Sequence, residues 1–329
     1  QQGRNHSDLG YFIGEEAPLT ALQETGRLND VPKAYAFDFV NFDAMTGALS
    51  NDGAELVTPG GARYRALYLG GTSHKMSLAA LRKLAALVDG GGIVIGMAPS
   101  GDPGLGTDPA EYAALVAKLW PGGGEARVGK GRVIASKSVE EALASAGIAP
   151  DFRYSGGKDG SDIPFLHRKL ADGESYFLVN RKQHAEAIEA RFRVTGKAPE
   201  LWNAETGKSS PVSYRIEGGE TVVPLTLEAE KSIFVVFRKP AAAPSLTIAA
   251  KSYAPAAALA VSWTVRFQPG RAAPAEAVLP ALASLSSDGD PGIKYFSGIA
   301  TYSSRFVTPK GWKAGQPLWI DLGEVGELA

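Results

Sequence analysis

Hydrophobic and polar positions follow one pattern up to residue 155 and a different one after it. In residues 7–155, apolar runs typical of strands alternate with segments of helical period. The expected strands are residues 7–14, 35–41, 63–70, 93–96 and 131–135, and the expected helices follow the N-cap residues Ser77, Asp108 and Ser138. This alternation predicts a doubly wound α/β domain over residues 1–155, of the Rossmann-like or amidotransferase-like kind.

Short alternating runs separated by turn residues replace the helical period from residue 156. They predict an antiparallel β-sandwich over residues 156–239. Residues 240–260 are rich in alanine and proline and are typical of a linker. Residues 261–329 contain only a few further strand-like runs, at 261–265, 292–302 and 318–322. We expect this region to be a β-sandwich without its closing strands, which leaves an unpaired edge.

The composition excludes several classes of function. The 34 basic and 35 acidic residues nearly cancel, which argues against a general nucleic-acid or anionic-membrane surface. The absence of cysteine excludes disulfides, thiolate metal sites and a cysteine nucleophile. No apolar run approaches the roughly 20 residues that a membrane helix needs. The chain begins with Gln1, and we expect it to be a piece of a longer protein.

Polar residues in and after the second expected strand form the candidate site. Phe37 and Phe39 share one face of that strand and Asp38 lies on the other, while Asn41 and Asp43 follow at its end. Polar groups at strand ends line ligand crevices in open α/β sheets. The alternative is that Asn41 and Asp43 only cap the next turn.

Two carboxylates after the first expected strand suggest a further site. Glu15 and Glu16 could meet Asp38, Asn41 and Asp43 at neighbouring strand ends. Such a group could supply the pair of carboxyl groups that glycosidic cleavage requires. Alternatively, they favour the N-terminus of a helix through its dipole. The glycine-rich turn at residues 70–74 could present amide groups to an anion, although it lacks the nucleotide-binding glycine patterns.

The histidines do not predict a metal site. No two of them have the spacing of metal ligands, and they are His6, His74, His167 and His184. We expect His167 and the adjacent Arg168 to be domain-interface or surface groups, since both lie on a strand of the sandwich.

Several motifs together resemble one family of enzymes. They are Tyr-Phe-Ile-Gly-Glu-Glu-Ala-Pro at 11–18, Phe-Asp-Phe-Val-Asn at 37–41, Leu-His-Arg at 166–168, Tyr-Phe-Leu-Val-Asn at 176–180, Arg-Val-Thr-Gly-Lys-Ala-Pro-Glu-Leu-Trp at 193–202, Glu-Thr-Gly at 205–207, Trp-Thr-Val-Arg-Phe at 263–267 and Tyr-Phe-Ser-Gly at 295–298. In this order, and over nearly the whole chain, they are similar to the C-terminal portion of glycoside hydrolase family 106, which contains the α-L-rhamnosidases.

The resemblance implies a large, multidomain, secreted or periplasmic enzyme that inverts configuration, depends on calcium and hydrolyses terminal α-L-rhamnosyl linkages. Its catalytic glutamates would lie in an N-terminal (β/α)₈ barrel before Gln1, so neither catalytic residues nor metal ligands are expected in this chain. Asp38 and Asn41 would bind substrate from the adjoining domain. Residues 261–329 would be part of a galactose-binding-like jelly roll. The expected partners are rhamnose-containing glycans or glycosides and the barrel in cis, with no nucleic acid and no membrane.

Other interpretations remain open from the sequence. The chain could be a carbohydrate-binding or structural module in which a tryptophan stacks on sugar rings, the candidates being Trp202, Trp263, Trp312 and Trp319. It could belong to another glycosidase family, such as the β-galactosidases. An independent amidotransferase-like enzyme ranks last, because the chain has no cysteine to act as the nucleophile.

Overall fold

The computed structural model describes residues 2–16, 20, 30–105, 107–249, 254–323 and 325. The chain forms two compact units, Gln1–Ile248 and Ala249–Ala329. Both units are rich in β-strands and have few helices, so the prediction of a β-rich protein with several sheets is confirmed.

The first part of the larger unit alternates strands and helices. Its strands are β1 (Arg4–Asn5), β2 (Leu9–Phe12), β3 (Phe37–Val40), β4 (Ser50–Asp52), β5 (Glu55–Val57), β6 (Arg63–Tyr64), β7 (Ala66–Leu69), β8 (Ile93–Ile95), β9 (Glu125–Val128) and β10 (Gly131–Ile134). Its helices are α1 (Leu78–Asp89), α2 (Pro109–Leu119) and α3 (Val139–Ser145), with a π-helical turn at Ala44–Ala48. The predicted caps are confirmed: Ser77, Asp108 and Ser138 each accept a hydrogen bond from a backbone N–H of the first turn.

Six of these strands form one sheet in the order β3-β2-β7-β8-β10-β9. All neighbours are parallel except β9 and β10, which form an antiparallel hairpin at the edge. Leu67 and Val94 on one face share an apolar cluster with α1 and α2, whereas Tyr68 and Ile95 on the other face pack with α3. Helices therefore cover both faces of the sheet.

The segment 63–70 corrects the expectation of a single buried strand. Tyr64 of β6 pairs with Leu56 in a separate small sheet of β4, β5 and β6. At Arg65, the backbone N–H instead donates to the carbonyl of Asp8, and the chain enters the large sheet as β7. Hydrophobic pattern does not reveal this change of partner, because both short strands have buried side chains.

The second part of the larger unit consists of antiparallel strands. They are β11 (Phe152–Gly156), β12 (Phe165–Lys169), β13 (Glu174–Val179), β14 (Glu186–Phe192), β15 (Lys197–Trp202), β16 (Ser209–Pro211), β17 (Tyr214–Glu217), β18 (Glu220–Leu227), β19 (Ser232–Pro240) and β20 (Ser245–Leu246). One sheet has the order β1-β12-β13-β19-β15-β16 and the other β11-β14-β18-β17-β20. Side chains from both sheets, among them Tyr176, Phe192 and Phe237, share one buried core.

Two strands cross the predicted domain boundaries. Strand β1, near the start of the chain, pairs with β12 and so extends a sandwich sheet rather than the parallel sheet. Strand β11 spans the predicted boundary between residues 155 and 156 and pairs with β14. Strand β20 lies within the predicted linker, residues 240–260, of which residues 250–253 are outside the described part of the chain.

The smaller unit contains a three-stranded antiparallel sheet. Its elements are β21 (Trp263–Phe267), β22 (Glu276–Leu279), a 3₁₀ turn (Leu285–Ser287), α4 (Pro291–Lys294) and β23 (Ala300–Ser303), and the sheet order is β22-β21-β23. Val265, Phe267 and Ile293 form its small core. Residues 318–322 were expected to include a strand, but the structure assigns them no strand or helix. Trp319 and Leu322 are exposed there, so no burial orders this segment into a sheet.

Candidate functional site

The two predicted substrate-binding residues lie on and after β3, and neighbouring groups hydrogen-bond to both. The Asp38 carboxylate accepts bonds from Asn5 Nδ2 at 2.8 Å and from the Tyr64 hydroxyl at 3.2 Å. Asn41 Oδ1 accepts a bond from the backbone N–H of Ala44 at 2.9 Å. Asn41 therefore caps the following turn, which is the alternative that the sequence left open. Asp43 precedes the same turn and makes no side-chain capping bond to it.

Glu15 binds the start of α1, and Glu16 lies beside a histidine that precedes this helix. Glu15 Oε2 accepts a bond from the backbone N–H of Ser77, the N-cap residue of α1, at 2.8 Å. Glu16 Oε2 lies 3.4 Å from Nδ1 of the exposed His74 ring. A carboxylate beside a helix N-terminus is stabilised by the partial positive charge there. The helix-dipole interpretation of Glu15 is thus observed, although the helix begins about 60 residues later in the chain.

A further carboxylate, which the sequence did not single out, lies at the carboxyl ends of the central strands. Asp30 accepts bonds from the hydroxyls of Tyr11 and Tyr68 at 2.6 and 2.8 Å and from the backbone N–H of Gly71 at 2.8 Å. Strands β2 and β7, which carry these tyrosines, lie where the strand order reverses, and open α/β sheets bind ligands at this position. Here the chain's own carboxylate takes that place.

The Asp30 carboxylate is also the anion that the glycine-rich turn at residues 70–74 binds. That turn was expected to offer amide groups to an anion, and the amide of Gly71 does bind a carboxylate from within the chain. Burial and the bond to Asp30 raise the pKa of the Tyr11 and Tyr68 hydroxyls, so both remain protonated donors at neutral pH.

A second polar cluster is buried where the parallel sheet meets the sandwich. This junction cluster consists of Asp8, Asp151, His167, Tyr176 and Arg193. Asp151 Oδ2 lies 2.8 Å from His167 Nδ1, and Asp151 Oδ1 accepts a bond from the Tyr176 hydroxyl at 2.8 Å. The rings of His167 and Tyr176 stack with their centroids 4.0 Å apart. The guanidinium of Arg193 reaches Asp8 Oδ2 at 2.7 Å and Asp151 Oδ1 at 3.5 Å.

Interactions within and around the junction cluster favour the charged form of its histidine. Burial by itself lowers the pKa of His167, but the carboxylates of Asp151 and Glu174 outweigh this effect and raise it. Burial likewise disfavours the charged form of Asp151, yet His167 and Arg193 hold the pKa of its carboxyl below the usual range. The same holds for Glu174, whose carboxylate lies 3.0 Å from His167 Nε2. His167 is therefore part of a buried ion network at the junction, and the expectation of an interface group fits its position.

One group of potential metal ligands overlaps the junction cluster, and it does not fit calcium. His6, Asp151 and His167 place one ligand atom each within 4.8 Å of one another. Calcium prefers six to eight oxygen ligands, and this group offers a single carboxylate. In addition, the guanidinium of Arg193 lies 3.4 Å from His6 Nε2 and 3.5 Å from Asp151 Oδ1, which supplies the positive charge that a metal would bring.

The described helices include none that is both long and apolar enough to cross a membrane.

Comparisons with known proteins identify the class, which is that of the glycoside hydrolases. The family model described as alpha-L-rhamnosidase matches residues 1–216. The chain therefore belongs to glycoside hydrolase family 106, as its motifs indicated.

Two relatives cover most of the chain. The solved structure of a rhamnosidase from Novosphingobium sp. PP1Y is 55% identical and superposes with a TM-score of 0.84 over 91% of this chain and 29% of its own. A curated protein from Formosa agariphila, named "Putative beta-glucuronidase", is 33% identical over 258 residues, which are 76% of this chain and 21% of that protein. This chain thus spans less than a third of either relative.

Proposed function

We propose that this chain is an accessory portion of an α-L-rhamnosidase that hydrolyses terminal α-L-rhamnosyl linkages in the full-length protein. The observation that carries the proposal is that the candidate carboxylates accept hydrogen bonds from groups of the chain itself. Glu15 binds a helix N-terminus, Asp30 binds two tyrosines and a backbone amide, and Asp38 binds Asn5 and Tyr64. Each therefore supports the local fold, whereas glycosidic cleavage needs one carboxyl group as acid and another as base or nucleophile.

In this proposal the catalytic glutamates belong to a barrel that precedes residue 1, in cis with this chain. The parallel sheet is a doubly wound, amidotransferase-like module, and the smaller unit is part of a galactose-binding-like jelly roll. Asp38 and Asn41 approach the sugar pocket of the barrel from the domain that contains the parallel sheet. Calcium acts in the full-length enzyme, which is secreted or periplasmic, and its substrates are rhamnose-containing glycans or glycosides.

The test compares this 329-residue chain with the product of the complete open reading frame on 4-nitrophenyl α-L-rhamnoside, with and without calcium. We expect release of 4-nitrophenol by the complete protein only. Turnover by this chain alone would overturn the accessory role. The candidate catalysts would then be Glu15, Glu16, Asp38 and Asp43. Because the name of one relative refers to a glucuronidase, 4-nitrophenyl β-D-glucuronide is run in parallel. Hydrolysis of that compound alone would overturn the rhamnoside specificity and retain the hydrolase class.

A further inference from the structure

A cavity of about 450 Å³ lies on the outer face of the sandwich sheet that contains β12, β13, β15 and β19. Its side chains alternate along the strands with those of the sandwich core, so they face away from that core. This volume is within the range of pockets that hold small ligands. The residues that matter here are Arg168, Ser175, Phe177, Trp202, Phe234 and Arg238.

Three aromatic rings line this cavity. The rings of Phe177 and Phe234 lie with their centroids 4.8 Å apart, and Trp202 lies on the neighbouring strand of β19. Aromatic rings bury large apolar areas in a fixed orientation. The C–H groups on one face of a pyranose ring can pack on such a surface, while its hydroxyl groups remain available to polar groups. Ser175 lines the cavity as one such group and lies opposite Arg168 in the pairing of β12 with β13.

The charge in the cavity is positive. Two guanidinium groups line it, from Arg168 and Arg238, and no carboxylate does so among the described residues. Arg238 lies over the ring of Trp202, 5.0 Å from its centroid, and Asp172 balances its charge at 3.2 Å.

The charge of Arg168 is not neutralised in this way by a carboxylate of the described residues. Its Nε and Nη2 donate to the backbone carbonyls of Gln2 and Gly3, both at 2.7 Å, and no ion pair joins it to a carboxylate in the described part of the chain. Its side chain is partly buried beside apolar groups, where an opposite charge interacts more strongly than in water. An unbalanced, oriented cation in a cavity lined by aromatic rings favours a ligand that is apolar on one face and anionic at its edge.

We propose that this cavity binds an anionic saccharide, with the sugar ring on Trp202 and the Phe177–Phe234 pair and the carboxylate or sulfate group at Arg168. The inference rests on the proposed carbohydrate function. It assigns a binding site separate from Asp38 and Asn41, on the other part of the larger unit.

The test is a calorimetric titration of the 329-residue chain with trigalacturonate and with its methyl ester, which has the same sugar rings without the charge. We expect the acid to bind about tenfold more tightly than the ester, a difference of about 1.4 kcal/mol, and its affinity to fall as salt is raised. Galactose 6-sulfate against galactose forms the second arm, and it distinguishes a sulfate ligand from a carboxylate one. Equal affinity for charged and neutral sugars, or no binding of either anionic sugar, would overturn the proposal.

Variants locate the bound sugar. Trp202→Ala should abolish the heat of binding, and Trp312→Ala, which removes a partly exposed tryptophan of the smaller unit, should not. Arg168→Lys should weaken binding but keep its salt dependence, whereas Arg168→Gln should remove the preference for the acid. Circular dichroism checks that each variant is folded. Binding that survives Trp202→Ala would contradict the site. The titration does not measure hydrolysis, so its failure leaves the outcome of the rhamnoside assay standing.

Discussion

Arg193 binds Asp8 across the junction of the two parts of the larger unit, with Nη2 and Oδ2 2.7 Å apart. Asp8 immediately precedes β2 of the parallel sheet, and Arg193 immediately follows β14 of the sandwich. The Asp8 side chain is 1% exposed, so its charge has little access to water. The pair therefore ties the first strand of the parallel sheet to the sandwich through a contact in which Asp8 is buried and Arg193 is partly buried.

Removing the arginine should destabilise the protein strongly. Arg193→Met leaves Asp8 buried without its partner, and the loss of one member of a buried pair costs about 3 kcal/mol or more. Urea denaturation, followed by circular dichroism, measures the change in the free energy of unfolding.

Arg82→Gln is the matched control for that measurement. It removes an exposed guanidinium that pairs with Glu111 on the surface, and we expect a much smaller loss because water screens that pair. Equal losses for the two variants would show that the Arg193–Asp8 pair has no special role at the junction.

His167 should titrate above the ordinary histidine pKa of 6.5, because Asp151 and Glu174 stabilise its charged form despite burial. Replacing Glu174 with Gln removes one of these carboxylates and should lower the pKa of His167. The measurement is a pH titration of the histidine ring signals by NMR. Glu205→Gln, which changes a surface carboxylate beside Lys231, serves as the control and should leave the His167 signals unchanged.

The raised pKa of His167 also determines how its contribution to the free energy of unfolding changes with pH. Since the folded-state pKa of His167 is raised, its contribution is fully present below pH 6.5 and is lost as pH rises through the folded value. Asp151 and Glu174 have lowered pKa values, so their contributions are lost as pH falls below their ordinary values of 3.8 and 4.5. His6 opposes His167, because burial and the charge of His167 lower its pKa. The difference in unfolding free energy between the wild type and His167→Gln isolates the His167 contribution, and it should shrink from pH 6 to pH 9.

The local structure of this chain was readable from its sequence, because the signals for it are local. Ser77, Asp108 and Ser138 each cap the helix that follows within one turn, and the hydrophobic period identified α1 and β8. The family was readable as well, since its motifs lie in order along the chain.

The contacts that build the candidate site were not readable, because they join residues far apart. Asp8 and Arg193 are 185 positions apart. His167 of β12 meets Asp151, which precedes β11 of the other sandwich sheet, only because the two sheets pack together. Asp30 gave no pattern of its own, as a single aspartate in a loop is common, and only the fold brings Tyr11 and Tyr68 to it. Strand β1 was not predicted either, because a strand of two residues is too short to show a hydrophobic period.

Replacing Asp30 with Ala should destabilise the parallel sheet and free two hydroxyls. Tyr11, Tyr68 and the amide of Gly71 lose their common acceptor. An unsatisfied buried donor costs about 1–3 kcal/mol, which applies to the two buried tyrosines, whereas water can reach the exposed amide of Gly71. Ultraviolet titration of the tyrosines should show two hydroxyls ionising at lower pH than in the wild type, because the carboxylate that raises their pKa is gone. Asp30→Asn keeps an acceptor but not the charge, so it should reproduce the change in titration with a smaller loss of stability. Unaltered tyrosine titration in both variants would contradict the described contact.

Gly14 and Gly53 provide a final comparison, because both have backbone conformations that favour glycine but only one is crowded. Their φ angles are +71° and +62°. A methyl group added at Gly14 would overlap the carbonyl oxygen of Thr72, which follows the Gly71 amide that binds Asp30. In contrast, no atom lies within 4 Å of a methyl group added at Gly53. Gly53→Ala should therefore cost only the left-handed conformation, about 1 kcal/mol. Gly14→Ala should cost several times as much, since a main-chain carbonyl cannot rotate away as a side chain would, and it should also disturb the tyrosine titration that reports on Asp30. Urea denaturation of both variants gives the two losses. Similar losses of unfolding free energy would show that the backbone at Thr72 shifts at little cost. The turn beside Asp30 would then be less rigid than its hydrogen bonds imply.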